Sequence, residues 1–154
     1  MEVKLLRENA QIPTQGSELA AGYDLYAALE KITMPDGTQD YGSIEIPPHC
    51  TVMIPTGIAI AVPQNCWAGI YARSGLATRS GLRPANCVGV IDPDYRGEIF
   101  VALHNDTDEY RYIQNGDRVA QMVFHIRLCA TWTPVEELSS TERGAAGFGS
   151  TGMN

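Results

Sequence analysis

The amino-acid sequence predicts an all-β fold: a single-domain, jelly-roll-like β-barrel followed by a flexible, glycine-rich C-terminal arm. Three observations predict it. Residues 118–128 alternate apolar and polar side chains, which is the pattern of a half-buried strand. Several further runs rich in β-branched residues are short and bounded by Pro, Gly or Asn. The 154 residues include 15 Gly and 9 Pro, more than a helical protein would tolerate.

The candidate strands follow one another without an internal repeat and without a linker that would divide the chain. No window of about 11 residues keeps a convincing helical period of about 3.6 residues. Strands of this length and spacing protect their edges by closing into a barrel or by packing as two sheets. Besides the alternating segment, the β-rich runs are residues 51–54, 57–62, 67–72 and, less sharply, 97–105.

Two groups of turn-forming residues precede the β-rich run of residues 51–54. Pro35-Asp36-Gly37 and Pro47-Pro48 indicate turns, because Pro presets φ, Asp bonds to nearby backbone and Gly accepts positive φ. The polar residues 34–43 are therefore predicted to form a surface loop or hairpin, to which the sequence assigns no role.

The alternating segment places Gln121 on the face opposite the main apolar row. We therefore expect Gln121 to meet a ligand or another subunit. The main apolar row consists of Ala120, Met122, Phe124, Ile126 and Leu128.

The chain changes character after Pro134. Residues 135–143 are polar, and residues 144–154 contain four glycines and almost nothing to anchor them. We expect residues 1–134 to form the β-barrel and residues 135–154 to form an arm of the same domain. Such an arm is mobile when empty and can order over a ligand.

The composition excludes several classes of protein. A net charge of -7 with 11 scattered basic residues argues against nucleic-acid binding and suits a small anionic ligand. The apolar runs are too short to cross a bilayer, so we expect a soluble intracellular protein without membrane contact, cytoplasmic or, in a eukaryotic or viral setting, nuclear. The four cysteines lack metal-binding or redox spacing and are interpreted as reduced.

Three short stretches carry candidate anion-binding residues. In Ala-Gly-Tyr-Asp-Leu, Asp24 interrupts an apolar run, and a turn-capping aspartate is the alternative interpretation. In Ala-Arg-Ser-Gly-Leu-Ala, Arg73 and Ser74 can donate to phosphate oxygens, while Gly75 lets backbone N–H groups approach. In Gly-Asp-Arg-Val-Ala-Gln, which opens the alternating strand, a surface ion pair of Asp117 with Arg118 is the alternative.

The stretch of residues 86–98 is the densest in functional side chains. A hairpin turn explains Asp-Pro-Asp at residues 92–94, but it requires neither an asparagine six residues earlier nor an aromatic three residues later. Asn86 offers a donor and an acceptor to a base edge, Tyr95 offers a flat surface for a sugar, and Asp92 can hold a water molecule.

The glycine-rich sequence of residues 143–152 is similar only superficially to nucleotide-binding loops. No strand leads directly into it and no helix is expected after it, so the Rossmann and Walker interpretations lack their structural context. It is a strip with one cation, one aromatic ring and two hydroxyl groups.

Taken in order, the sequences AGYDL, ARSGLA, NCVGVIDPDYRGE, GDRVAQM and RGAAGFGSTG resemble the five motifs of the trimeric dUTPase family. The resemblance extends over residues 12–152. It implies a dUTP nucleotidohydrolase that forms dUMP and pyrophosphate, limiting uracil incorporation into DNA and supplying dUMP for thymidylate synthesis. It also implies a homotrimer whose active sites are built from more than one subunit.

The resemblance assigns roles to individual residues. Asp92 matches the aspartate that deprotonates a water molecule for attack on the α-phosphorus, and it is our candidate catalytic residue. Tyr95 matches the ring beneath the deoxyribose, which leaves no room for a 2′-hydroxyl. The uracil contacts would be the side chain of Asn86, backbone groups of Gly89, Val90 and Ile91, and a hairpin closing near Phe100.

The resemblance also implies the phosphate contacts and the cofactor. Mg²⁺ is expected to bind mainly through triphosphate oxygens and water, with no direct protein ligand and with Asp24 in its outer shell. The phosphate contacts on the barrel side would be Arg73, Ser74, Gly75 and Gln121. Those from the arm would be Arg143, Ser150 and Thr151, with Phe148 stacking on the uracil.

One departure from the family concerns the arm. Ala146 stands where the family often has glycine, and a positive φ there would cost about 1 kcal/mol and loosen closure. Three alternatives remain open on the sequence. They are a dCTP deaminase of related fold, a nucleotide-sensing module that uses dUTP as a switch, and a viral jelly-roll structural protein.

Overall fold

The computed structural model describes residues 1–147. Within this range the fold is nearly all β, with one short helix. The early strands are β1 (Val3–Leu5), β2 (Thr14–Gln15), β3 (Tyr23–Tyr26), β4 (Ile32–Thr33), β5 (Gln39–Asp40), β6 (Ser43–Ile46), β7 (Thr51–Pro55), β8 (Ile58–Ile60) and β9 (Cys66–Tyr71). They are followed by α1 (Ser74–Ser80), β10 (Leu82–Pro84), β11 (Gly89–Ile91), β12 (Phe100–Asn105), β13 (Arg111–Gln114) and β14 (Arg118–Ile126).

Two antiparallel sheets account for most of the strands. One has five strands in the order β11-β9-β14-β3-β2, and the other has three in the order β10-β12-β7. The remaining strands form the pairs β1-β8, β13-β6 and β4-β5. This arrangement confirms the all-β, jelly-roll-like prediction, although the ladders of residues 1–147 do not close into one hydrogen-bonded barrel.

A single hydrophobic core lies between the sheets. Its members come from strands far apart in sequence, which is what a two-sheet fold requires. The largest fully buried apolar side chains are Leu25, Ile46, Ile54, Ile58, Ile99, Val101, Leu103, Ile113, Val119 and Met122.

The alternating segment forms β14, which pairs with both β3 and β9. A register shift between Arg118 and Ala120 buries Val119 and Ala120 together, because a bulge places consecutive residues on one side. The predicted apolar row is buried only in its first part. Ile126 and Leu128 are 76% and 91% exposed, because the chain there has passed beyond the core.

The helix α1 is the element that the periodicity did not indicate. It has seven residues and no buried side chain, so it carries no apolar stripe that a sequence pattern could reveal. It ends at Gly81, whose φ of 65° is left-handed and whose backbone N–H donates to the carbonyl of Leu76.

The loop predicted at residues 34–43 is a hairpin formed by β4 and β5. Its turn is closed by Asp36, whose carboxylate accepts from the Thr38 hydroxyl at 2.6 Å and from the Thr38 backbone N–H at 2.9 Å. These two hydrogen bonds, the hydroxyl first, lower the pKa of the Asp36 carboxyl below its ordinary value. Gly37 provides the required positive φ of 85°.

All four cysteines are free thiols, as predicted. Among residues 1–147, no helix is long and apolar enough to span a membrane.

The chain has neither helix nor strand from residue 127 to residue 147, and it is exposed throughout that range. The predicted contacts Phe148, Ser150 and Thr151 lie outside the described residues. The division between a barrel of residues 1–134 and an arm of residues 135–154 stays a prediction.

Candidate functional site

Asp24 lies in the middle of a pair of arginines instead of capping a turn. Its two carboxylate oxygens accept from Arg73 Nε at 2.7 Å and from Arg118 Nη1 at 3.1 Å, and its side chain is only 12% exposed. Asp117, the alternative partner of Arg118, instead accepts the backbone N–H of Gln114 at 2.8 Å. The local alternatives for Asp24 and Asp117 are therefore wrong. Asp24, Arg73 and Arg118 come from three different motifs and meet at one point, which we call the arginine corner.

The register of the five-stranded sheet places Gln121 in the arginine corner. Gln121 pairs with Asp24 on one side and with Tyr71 on the other. Its amide donates to the carbonyl of Ala72 at 2.9 Å, next to Arg73. The prediction that Gln121 turns away from the apolar row is consistent with this contact.

The beginning of α1 follows directly after Arg73. Ser74 and Gly75 are exposed, and a Cβ atom on Gly75 would have no heavy atom within 4 Å. Packing among residues 1–147 therefore gives no reason for a glycine at this position. Close approach of a ligand, as the sequence predicts, is a sufficient reason.

A second group of candidate residues surrounds β11. This strand is the edge of the five-stranded sheet, so one side of its backbone is not paired within residues 1–147. A Cβ on Gly89 would lie 3.2 Å from the amide nitrogen of Asn86 and 3.1 Å from the Cβ of Ile70. Glycine therefore allows the Asn86 side chain to lie against the strand, so that an amide donor and acceptor stand beside the backbone groups of β11.

The turn after β11 contains Asp92. The backbone N–H of Tyr95 donates to the carbonyl of Asp92 at 3.2 Å, so the predicted turn is present. The predicted hairpin is wrong, however, because β11 pairs with β9 whereas β12 pairs with β7 and β10. The chain crosses from one sheet to the other here, since each strand finds its partner in a different layer. Asp92 stands exposed at this crossing.

Tyr95 forms one wall of a groove beside Asp92. Its hydroxyl donates to the carbonyl of Glu98 at 2.9 Å, and a Cβ on Gly97 would lie 2.7 Å from the ring carbon Cζ. The ring therefore lies directly over the Gly97 backbone. The groove has a volume of about 280 Å³ and is lined by Met53, Val90, Ile91, Asp92, Tyr95, Glu98, Ile99 and Phe100. Asp92 also lines a second, larger cavity of about 570 Å³.

The groove and the arginine corner are far apart in the chain. Ile91 pairs with Ala68, near the beginning of β9, whereas Asp24 lies in the row of Tyr71, at its end. Asp92 and Asp24 are thus separated by roughly 13 Å along the strands and by about 14 Å across them. Within residues 1–147, the structure therefore separates Asp92 and Tyr95 from the arginine corner. Gly89 pairs with Ile70, so β11 runs from the row next to Tyr71 back toward the groove.

The arm contributes Arg143 to the described residues. Arg143 is exposed, and its Nε donates to the carbonyl of Ala146 at 3.3 Å. The positive φ falls at Gly144, at 51°, and not at Ala146. Ala146 is thus not left-handed in this conformation, and its cost in a closed arm stays a prediction.

Two side chains of the motifs had no assigned role on the sequence. The Arg118 side chain completes the arginine corner, and the Glu98 side chain binds Gly57 and Arg7 while its backbone carbonyl accepts from the Tyr95 hydroxyl. Arg118 is 94 residues from its partner Asp24, so only the pairing of β3 with β14 could reveal the contact.

The acidic residues do not form a metal-binding cage. Within residues 1–147, no three His, Cys, Asp or Glu side chains are grouped so that they could hold a metal ion. The Asp24 carboxylate already accepts from two guanidinium groups, which suits an outer-shell position better than direct coordination.

A polar strand edge beside an aromatic ring, together with a separate arginine corner, defines a protein built to bind a base with its sugar and a phosphate group. The dUTPase family model matches residues 8–152 of the chain. The chain therefore belongs to the dUTPase family.

Individual relatives agree with this assignment. The chain is 43% identical over 156 residues to the deoxyuridine 5'-triphosphate nucleotidohydrolase of Yarrowia lipolytica, covering 100% of this chain and 90% of that protein. It is 40% identical over 153 residues to the enzyme of the same name from Oryza sativa subsp. japonica, covering 99% and 81%.

Among solved structures, the fold is similar to a mutant dUTPase of Staphylococcus bacteriophage 80alpha with dUpNHpp. The TM-score is 0.80 at 25% identity, covering 98% of this chain and 97% of that one. A mutant dUTPase from phage phi11 of S. aureus, which coordinates a structural Mg(II) ion, shows the same fold. Its TM-score is 0.76 at 22% identity, covering 90% of this chain and 98% of that one.

Proposed function

We propose that this protein hydrolyses dUTP to dUMP and pyrophosphate, as a homotrimer with Mg²⁺. The observation that carries the proposal is the groove beside β11, in which Asp92 and Tyr95 lie next to a strand edge that has no pairing strand among residues 1–147. Membership of the dUTPase family supports the same substrate.

The strand edge explains the choice of base. Uracil presents an N3 donor and an O4 acceptor where cytosine presents the reverse. The amide of Asn86 and the backbone of residues 89–91 would pair with uracil and be left unpaired by cytosine, at about 1–3 kcal/mol for each buried group. Val90, Ile91 and Phe100 narrow the groove, which disfavours the 5-methyl group of thymine.

Asp92 would act as a general base. Its exposed carboxylate takes a proton from a water molecule, whose oxygen attacks the α-phosphorus while pyrophosphate leaves. The Tyr95 ring would pack beneath the deoxyribose and exclude a 2′-hydroxyl. Such a base contributes roughly 10²- to 10⁴-fold in rate when it is correctly placed.

The arginine corner would bind the triphosphate. Arg73, Ser74 and Gln121 supply donors, and Gly75 leaves room for phosphate oxygens. Mg²⁺, held by phosphate oxygens and water with Asp24 in the outer shell, would neutralise charge on the triphosphate.

Assembly would bring the two sites together. Asp92 and the arginine corner lie near opposite ends of β9, so one nucleotide would contact Asp92 of one subunit and the corner of another. A homotrimer would place the corner of one subunit against the groove of another. The arm of residues 135–154 would then close over the nucleotide with Arg143, Phe148, Ser150 and Thr151.

Release of pyrophosphate from dUTP, dTTP, dCTP and UTP in the presence of Mg²⁺ tests the proposal. We expect release from dUTP and little from the other three nucleotides. Release of ammonia from dCTP without pyrophosphate would instead identify a deaminase. Equal release from all four nucleotides would contradict the assigned base and sugar contacts.

A further inference from the structure

Glu98 anchors the turn of Asp92 and Tyr95 to the N-terminal segment of the chain. Its Oε1 accepts from the backbone N–H of Gly57 at 2.8 Å, and its Oε2 accepts from Arg7 Nη2 at 3.3 Å. Arg7 Nε also lies 3.3 Å from Oε1, so both carboxylate oxygens are engaged. The side chains of Arg7 and Glu98 are only 21% and 16% exposed, so water and salt screen this pair less than a surface pair.

The same residue fixes the Tyr95 ring. The Tyr95 hydroxyl donates to the backbone carbonyl of Glu98. The next residue is held as well, because the N–H of Ile99 donates to Ile58 at 2.9 Å and its carbonyl accepts from the Thr56 hydroxyl at 2.6 Å. The backbone of residues 98 and 99 thus connects the Tyr95 hydroxyl to the core.

Gly57, which binds the Glu98 carboxylate, is itself fixed by the core. Its φ is 66°, and a Cβ there would lie 2.8 Å from the Cβ of Ala10 and 2.9 Å from that of Ala28. Its carbonyl accepts from the backbone N–H of Leu6, next to Arg7. The backbone N–H group that binds the Glu98 carboxylate is therefore held in a fixed position.

We propose that Glu98, together with Arg7, is a positioning residue that sets discrimination between deoxyribose and ribose by holding Tyr95. This inference rests on the proposed function, in which the ring excludes a 2′-hydroxyl. To exclude the 2′-oxygen, the Tyr95 ring must keep its position to within a fraction of the diameter of that atom. A displacement of about 1 Å can cost up to about 100-fold in rate. Glu98 belongs to the third motif but Arg7 to none of the five, so the pair extends the site beyond the motifs.

The test compares kcat/KM for dUTP and UTP in the full-length protein with Mg²⁺. We expect Arg7→Ala to lower the dUTP-to-UTP ratio about tenfold, and Glu98→Ala to lower it further, because a ring that can move admits ribose. Glu98→Gln retains an acceptor for Gly57 and should keep part of the preference. The double variant should change the ratio no more than Glu98→Ala alone, since both residues act through one contact.

Arg111→Ala is the matched control. Arg111 is 30% exposed, pairs with Glu109 at 3.2 Å and belongs to β13, outside the groove. It should leave the ratio within about twofold of the parent value.

Two results would overturn the inference. A ratio unchanged in Arg7→Ala and Glu98→Gln, with a lower free energy of unfolding, would mean that the pair only stabilises the fold. Arg7→Ala and Glu98→Gln carry the test if Glu98→Ala does not fold.

The failure of this inference can be distinguished from the failure of the proposed function. A parent protein that releases no pyrophosphate from dUTP overturns both. Normal dUTP turnover by the variants with an unchanged dUTP-to-UTP ratio overturns the positioning role alone.

Discussion

At the scale of single residues, Asp92 is the side chain whose charge the proposed reaction needs. Asp92→Asn keeps the size of the side chain but removes its ability to take a proton. We expect turnover of dUTP to fall by roughly 10²- to 10⁴-fold, with binding of a non-hydrolysable dUTP analogue retained. Steady-state kinetics and calorimetry measure the two quantities.

Asp94 provides the control for this prediction, because it lies in the same turn and lines the same larger cavity. Asp94→Asn should keep most of the turnover. Equal losses in both variants would mean that the reaction depends on the negative charge of the turn and not on a specific base.

Gly97 tests the support of the Tyr95 ring from the other side. A Cβ there would lie 2.5 Å from the tyrosine oxygen, so Gly97→Ala must displace the ring. We expect kcat/KM for dUTP to fall at least about tenfold. Gly16→Ala adds the same methyl group where no atom lies within 4 Å and should have no effect; comparable values for the two variants would contradict the proposed sugar contact.

At the scale of elements, the end of α1 depends on Gly81. Its φ is left-handed, and a Cβ would overlap the Thr107 methyl group. We expect Gly81→Ala to lower the free energy of unfolding by about 2–4 kcal/mol, from backbone strain and overlap together. Chemical denaturation at one fixed protein concentration measures it.

Gly37→Ala separates the two contributions to that loss. Gly37 also has a positive φ, 85°, but no atom lies within 4 Å of its Cβ position. It should lose only about 1 kcal/mol, the cost of the backbone alone. If Gly81→Ala loses no more than Gly37→Ala, the contact with Thr107 does not constrain the helix end.

The elements also show what a sequence can predict. Five strands were predictable from β-rich runs, of which residues 118–128 also alternate, and the hairpin of residues 34–43 was predictable because Asp36 and Gly37 are local turn formers. The short strands β1, β2 and β13 were not among those predicted. The helix α1 was not predictable, because no buried face marks it.

The strands that pair with β11 and β12 were not predictable either. Their closeness in sequence favours a hairpin, but in the structure β11 pairs with β9 and β12 with β7, in different sheets. The same limit hides the contacts of Asp24 with Arg118 and of Glu98 with Arg7, which join residues distant in the chain.

At the scale of the whole molecule, the proposed shared site predicts complementation between inactive variants. Asp92→Asn and Arg73→Ala each remove one half of the site. Subunits of the two variants, mixed after unfolding and reassembled together, should recover up to about a quarter of the parent activity, since some sites then receive both intact halves. Each variant reassembled alone is the control, and a mixture no more active than these would place both halves in one subunit.

The length of β9 has a consequence for how the proposed activity depends on the amount of protein. If Asp92 and the arginine corner of one chain serve different active sites, a single chain has no hydrolytic activity until it assembles with two others. Specific activity would then follow mass action, falling steeply on dilution below the dissociation constant of the assembly and recovering on concentration. The separation along the six residues of β9 would then make hydrolysis a property of the assembled protein and not of a single chain.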